Sequence, residues 1–229
     1  MTDARVLRAG DAAWLIELED RIDPDVNACA IRVARAIEAS SVPFTDLVIG
    51  YRTVMVYVDP LDSRQPRLEA QLRQIVADTA AGGAGEGPLK EVPVCYGGEF
   101  GPDLDDVAAF GRCSPEDVVA MHVSRDYRVY VVGFVPGWAY MAAVDERIAA
   151  PRRSSPRVRV PPGSLGIAAI QTGIYPAETP GGWNLIGRCP IKPYDPARRE
   201  PFLFEPGDRV RFRRISEAEY RVSSQWGGT

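Results

Sequence analysis

The sequence predicts an α+β protein in two parts, a small α/β sandwich followed by a β-barrel. Over residues 1–80, apolar side chains switch between the two-residue period of strands and the 3.6-residue period of helices. Past the middle of the chain helical signals nearly vanish, and twelve of the twenty prolines fall between Pro136 and Pro206. Between these regions Ala80–Pro88 (AAGGAGEGP) has the composition of a flexible linker. The expected domains are residues 1–83 and 84–229.

In the first part, Trp14, Ile16 and Leu18 alternate with Leu15, Glu17 and Glu19, the pattern of a half-buried strand. Pro24 opens a helix whose Val26, Cys29, Ala30, Val33, Ala34 and Ile37 recur at helical spacing. Two apolar strands, Asp46–Gly50 and Val54–Val58, are close enough to pair as a hairpin. A second helix carries Leu68, Leu72, Ile75, Val76 and Thr79 on one face. Just past the linker, a strand at Leu89–Cys95 is a candidate to close this unit. Strands and two helices in this order resemble the ferredoxin-like arrangement.

In the second part, Asp103 is placed to cap a helix from Leu104 to Phe110, and Ser114-Pro115-Glu116-Asp117 starts another that runs to about His122. Strands follow. Tyr127, Val129 and Val131 alternate, as do Val210 and Phe212 against Arg209, Arg211 and Arg213. A closed or nearly closed barrel is the economical way to bury so many short strands.

Composition narrows the function. A net charge of −4 and a pI near 5.2 argue against a nucleic-acid or anionic-membrane binder. The first residues lack a signal-peptide core, and no apolar run approaches the ~20 residues that span a bilayer. Cys29, Cys95, Cys113 and Cys189 form no CxxC pair, and with one histidine in the chain a zinc site is not expected. A cytoplasmic protein with reduced thiols fits these facts. The linker glycines lack the GK[ST] ending of a phosphate loop, and Ser164 lies outside any GxSxG pattern.

Candidate chemistry concentrates between residues 133 and 188. Arg147, Arg152, Arg153, Arg157 and Arg159 fall within 13 residues, a local basic loop in an acidic chain. It suits a small anion, or is solvated charge. Arg152 and Arg157 each follow a proline, which holds the backbone extended while a fork suited to carboxylate or phosphate projects. Gln171 and Tyr175 can donate to a carbonyl or amide. Trp183, behind two glycines, is either an apolar wall or a core residue. His122 is the one imidazole available for proton transfer, or else a helix-end residue favoured by the dipole. In YGGEFGPDL (Tyr96–Leu104), Glu99 and Asp103 supply carboxylates beside a glycine turn that reads as an anion cradle or a simple cap.

These segments, GFVPGWAYM (Gly133–Met141), PRRSSPRVRVPPGSLGIA (Pro151–Ala168), QTGIYP (Gln171–Pro176) and TPGGWNLIGR (Thr179–Arg188), resemble the KipI/PxpB family. Its members serve as the PxpB component of prokaryotic 5-oxoprolinase, as allophanate hydrolase subunit 1 or as inhibitors of a sporulation histidine kinase. Part of the carboxyltransferase region of urea carboxylase is also similar. The resemblance implies a small α+β domain followed by a cyclophilin-like β-barrel. It implies a KipA/PxpC-type partner (allophanate hydrolase subunit 2-like), a third, PxpA-type component, and ATP shared with those partners. The motif positions carried over are Glu99, His122, Phe134, Pro136, Tyr140, Arg152, Arg157, Ser164, Gln171, Tyr175, Trp183 and Arg188. Trp138, Pro162, Ala169, Ile170 and Cys189 depart from the family pattern.

The expectation is therefore one component of an ATP-dependent enzyme that opens a cyclic amide or a urea-like amide. Phosphorylating an unactivated lactam oxygen makes a better leaving group, and cationic donors stabilise the developing charge. Arg152 and Arg157 would hold the substrate anion and Gln171 and Tyr175 the amide. Tyr140 and Trp183 complete the expected substrate site, and His122 or Glu99 would move the proton. The alternative is a regulatory module that sequesters a kinase, using aromatic anchors such as Trp138 and Tyr140. Prolyl isomerase activity is a fold analogy alone.

Overall fold

In the computed structural model, residues 4–62, 65–79 and 87–226 are described, and the chain divides into two units after residue 86. The expected linker residues 80–86 and the expected boundary at 83/84 lie outside the described residues.

The first unit runs β1 (Arg5–Arg8), β2 (Ala13–Glu17), α1 (Pro24–Glu38), β3 (Asp46–Ile49), β4 (Thr53–Tyr57) and α2 (Gln65–Thr79). Asp23 starts α1: its carboxylate accepts from the amides of Asp25 and Val26 at 2.8 and 3.3 Å, satisfying donors that lack helical partners. The face anticipated from the spacing is the one buried, with Val33, Ala34 and Ile37 packed against Ile16, Val54 and Val56 of the sheet. Asn27, on the same face, is fully buried and donates to the carbonyls of Gly50 and Tyr51 at 3.3 and 3.2 Å, tying helix to turn.

All pairings in this sheet are antiparallel, in the order β1-β2-β4-β3. This is a ferredoxin-like sheet with one substitution. The edge beside β2, which a strand following the second helix would normally take, is filled by β1, the strand that precedes β2 in the sequence. β1 has one buried side chain, Val6, too little for a periodic signal. The strand at Leu89–Cys95 is consequently not needed here, and it belongs to the second unit.

That unit contains β5 (Leu89–Tyr96), α3 (Leu104–Gly111), α4 (Pro115–Val123), β6 (Asp126–Val132), β7 (Ala139–Ala142), β8 (Arg157–Val160), β9 (Ser164–Ala168), β10 (Gln171–Ile174), β11 (Thr179–Gly181), β12 (Asn184–Arg188), β13 (Arg209–Arg214) and α5 (Glu217–Ser223). Seven strands close a barrel in the order β10-β7-β6-β13-β5-β12-β9, while β8 and β11 form a separate two-stranded ribbon. Closure leaves the barrel no unpaired edge. β5 lies parallel to β13 over six residue pairs. The interior is filled by Tyr127, Val129, Met141, Leu165, Ile167, Ile174 and Phe212.

Two details differ from the sequence expectation. A register shift between Val129 and Val131 breaks the alternation of β6, so Tyr130 is buried and Val131 is only half-buried. A further helix, α5, follows the last strand, and its signal is present in the sequence: Ser216 and Glu219 form a capping box, each side chain bonding the other's backbone amide. No helix among the described residues is long and apolar enough to cross a membrane.

Candidate binding cavity

The segment joining β6 to β7 is a tight loop. The Gly133 amide donates to the Trp138 carbonyl at 3.0 Å, and the Trp138 amide donates to the Val135 carbonyl at 3.0 Å. Gly137 has φ +85°, and a Cβ there would lie 2.6 Å from the Tyr194 side chain, so glycine is required twice over. This loop buries Trp138 and sets its ring edge-on to Trp183 (4.9 Å between centroids), Tyr175 (4.6 Å) and Tyr140 (5.6 Å). Edge-to-face pairs of this kind contribute about 0.5–1.5 kcal/mol each beyond their burial. Phe134 lies at the lip, 70% exposed and with φ +71°.

These rings wall a cavity of about 220 Å³ together with Arg152, Pro180, Gly181 and Gly182. Gly181 gives it its shape: a Cβ there would sit 2.3 Å from the Tyr175 hydroxyl. Arg152 is exposed and, among the described residues, makes no hydrogen bond or ion pair within the chain. Burial pushes the Tyr175 phenol above its usual range, partly offset by a backbone hydrogen bond from Trp183 and the charges of Arg152 and Arg157. Tyr175 is thus a neutral donor at physiological pH. The cavity offers one cation, two phenols and apolar rings, a combination suited to a small planar molecule bearing a carboxylate.

Tyr140, Arg152, Tyr175 and Trp183 therefore come together as the sequence suggested, but the other candidates do not. Arg157 is engaged elsewhere: its guanidinium donates to both oxygens of Asp103, at 2.8 and 2.7 Å. The sequence places Asp103 as a helix cap, yet its side chain makes no cap bond to α3. It instead accepts from Arg157, from Arg153 at 2.7 Å and from the Leu185 amide at 2.7 Å. Gln171 begins β10 beside Ala142 and Ala168, at the opposite end of that strand from Tyr175.

His122 is fully buried, stacked on Tyr127 and close against Phe212. The Thr172 hydroxyl donates to the Gly166 carbonyl at 3.0 Å, so it must accept from Nε2–H of His122, also at 3.0 Å. Nδ1 is then the acceptor for the Tyr96 hydroxyl at 2.9 Å. Burial, aided by the charge of Arg125, lowers the histidine pKa to about 3, and burial raises that of Tyr96. Both groups are held neutral, so proton transfer along this chain is disfavoured. His122 is thus placed in the barrel core, and the cavity that Arg152 borders does not include it.

Glu99 lies in a different and larger cavity, about 500 Å³, between Tyr96–Phe100 and Arg214–Glu217. Its carboxylate pairs with Arg221 at 2.9 Å, and Arg221 also holds Glu217 at 2.6 Å. Glu99 therefore shares no site with Arg152, and the anion-cradle reading of the glycine turn meets two carboxylates at its mouth. Ser164 is fully buried, and its hydroxyl has no hydrogen-bond partner among the described residues, a histidine included. The 220 Å³ cavity is too small for a nucleotide. Among the described residues no three His, Cys, Asp or Glu side chains are grouped to hold a metal ion.

The family model for the carboxyltransferase domain, subdomain C and D, matches residues 4–204. The chain is 40% identical over 233 residues to the 5-oxoprolinase B-subunit of Bacillus subtilis (strain 168), covering 95% of each. Among solved structures, TTHA0988 superposes with a TM-score of 0.79 at 35% identity. The match takes in 89% of this chain but spans only 40% of TTHA0988. The K. lactis urea amidolyase superposes at TM-score 0.75 over 96% of this chain and 15% of its own length, and its 20% identity speaks for the fold alone.

Proposed function

This chain belongs to the carboxyltransferase subdomain C and D family that includes the 5-oxoprolinase B-subunit, and from that premise we propose that it is the component that binds 5-oxoproline in an ATP-dependent amide-opening enzyme. The observation that carries the reading is Arg152. Its guanidinium has no partner within the described chain and borders a cavity walled by Trp138, Tyr140, Tyr175 and Trp183. A cyclic amide carrying a carboxylate matches each part. The guanidinium takes the carboxylate, the rings cover the faces of the small ring, and the phenols hydrogen-bond its amide. The apolar walls keep water from the lactam and strengthen those polar contacts.

ATP and the groups that act on it belong to companion proteins in this reading, since the cavity beside Arg152 has no room for a nucleotide as well as the substrate. The longer TTHA0988 chain, of which this one spans 40%, is compatible with such partners. The isolated chain is accordingly inactive and gains turnover on assembly with a PxpC-type protein. The test is ATP-dependent release of glutamate from 5-oxoproline by the co-expressed components, with and without Arg152→Ala. Loss of turnover with intact assembly supports the assignment. Full turnover by the variant, or by the lone chain, overturns it. Kinase inhibition without any turnover would favour a regulatory module instead.

A further inference from the structure

We propose that Asp103 is the positioning residue of this cavity, holding Arg153 and Arg157 so that the neighbouring arginine, Arg152, alone faces the ligand. The inference rests on the substrate assignment above and adds to it a residue that touches no ligand. Three arginines in one short exposed loop would ordinarily compete for one anion and move freely. Here two are removed from competition. Arg157 forks onto both oxygens of Asp103, and Arg153 takes a further position on Oδ1 at 2.7 Å. Asp103 is itself fixed to β12 by a reciprocal pair: its amide donates to the Leu185 carbonyl at 2.9 Å, and the Leu185 amide returns to Oδ2 at 2.7 Å.

The backbone on either side of Arg152 is stitched to the same stretch of chain. The Asn184 side-chain amide donates to the Pro151 carbonyl at 2.8 Å, and the Arg153 amide donates to the Gly182 carbonyl at 2.8 Å. Segment 151–157 thus hangs on residues 182–185, which include the cavity wall Trp183, and Asp103 joins the two. At 2% exposed, Asp103 is shielded from solvent, so its hold on the two guanidinium groups is screened little by salt. Asp106, 3.6 Å from Arg153, adds a second carboxylate, so the two tethered guanidinium groups are matched in charge and Arg152 is left as the cation bordering the cavity.

Asp103→Asn keeps the shape and the acceptor for Leu185 but removes the charge that holds the forks. The expected result is about tenfold faster hydrogen exchange of the amides of residues 152–155 and 157, with exchange in the barrel strands unchanged. In the assembled complex, the KM for 5-oxoproline is expected to rise about tenfold, with kcat within about twofold. If the Asn variant does not fold, Arg153→Gln removes one tether from a partly exposed position and is read the same way. Unchanged exchange in the loop overturns the tether outright. Faster exchange with an unmoved KM, in a series where Arg152→Ala raises KM, overturns its link to binding. If KM is unmoved in Arg152→Ala as well, the substrate assignment falls first and the positioning role falls with it.

Discussion

Arg157 sets its guanidinium fork on both oxygens of Asp103, at 2.8 and 2.7 Å, and Asp103 is 2% exposed. An arginine so engaged anchors the loop and is not available to clamp a ligand. Arg152, five residues earlier, has the opposite character: it is exposed and unpaired among the described residues.

The two arginines should therefore separate in experiment. Arg157→Ala leaves a buried carboxylate short of its main partner and is expected to cost about 2–3 kcal/mol of stability. Arg152→Ala should alter stability by no more than about 0.5 kcal/mol while removing substrate affinity. Urea unfolding of both variants, beside binding of 5-oxoproline, measures the split. Equal stability losses would contradict it.

Gly181→Ala places a methyl carbon where the Tyr175 hydroxyl now lies, 2.3 Å away. Tyr175 must then shift within a packed ring cluster, at an expected cost of about 1–3 kcal/mol, and the cavity loses its shape. A crystal structure of the variant with Tyr175 unmoved would refute the argument.

Phe134 and Trp138 lie in one loop but should behave oppositely. Phe134 is a non-glycine residue at φ +71° with its ring in solvent, so Phe134→Gly relieves backbone strain and should leave stability unchanged or raised by about 1 kcal/mol. Trp138→Ala empties the centre of the aromatic cluster and should cost about 3–5 kcal/mol. Thermal unfolding distinguishes them. A destabilised Phe134→Gly would mean that the exposed ring packs more tightly than its exposure allows.

His122 makes a prediction about pH. Its pKa is about 3 in the folded chain against 6.5 as a free side chain. Above pH 6.5 both states are neutral and the residue contributes no pH dependence. Below 6.5 the unfolded chain takes up a proton that the folded one refuses until about pH 3. Stability should therefore fall across that window by about 1.4 kcal/mol per pH unit from this residue alone. A His122→Gln variant lacks that slope, so its stability deficit at pH 7.5 should narrow by pH 5. Parallel curves for the two proteins would show that the imidazole is not the group responsible.

Much of the architecture was legible because it depends on local periodicity. The buried face of α1 and the alternation at Tyr127 and Val129 followed from spacing, and the start of α4 followed from Ser114-Pro115-Glu116-Asp117. β1 was not legible, since a four-residue strand with one buried side chain carries no period. The destination of β5 was not legible either, because an eight-residue strand with a few buried side chains pairs equally well in a sheet or a barrel until its neighbours are known. Within the site, Trp138, Tyr140, Tyr175 and Trp183 converge because glycine-shaped loops bring β7, β10 and β12 to one end of the barrel.

The sequence by itself determined the residue types: arginines behind prolines, aromatics behind glycines, and one histidine. Only the tertiary structure decided which of them are free to act. A guanidinium binds whichever carboxylate reaches it first, and Asp103 reaches Arg153 and Arg157 across about fifty residues of chain, a pairing that no local pattern encodes. The same holds for His122, whose chemistry is set by burial among Tyr127, Phe212 and Thr172, residues that closure of the barrel brings to it.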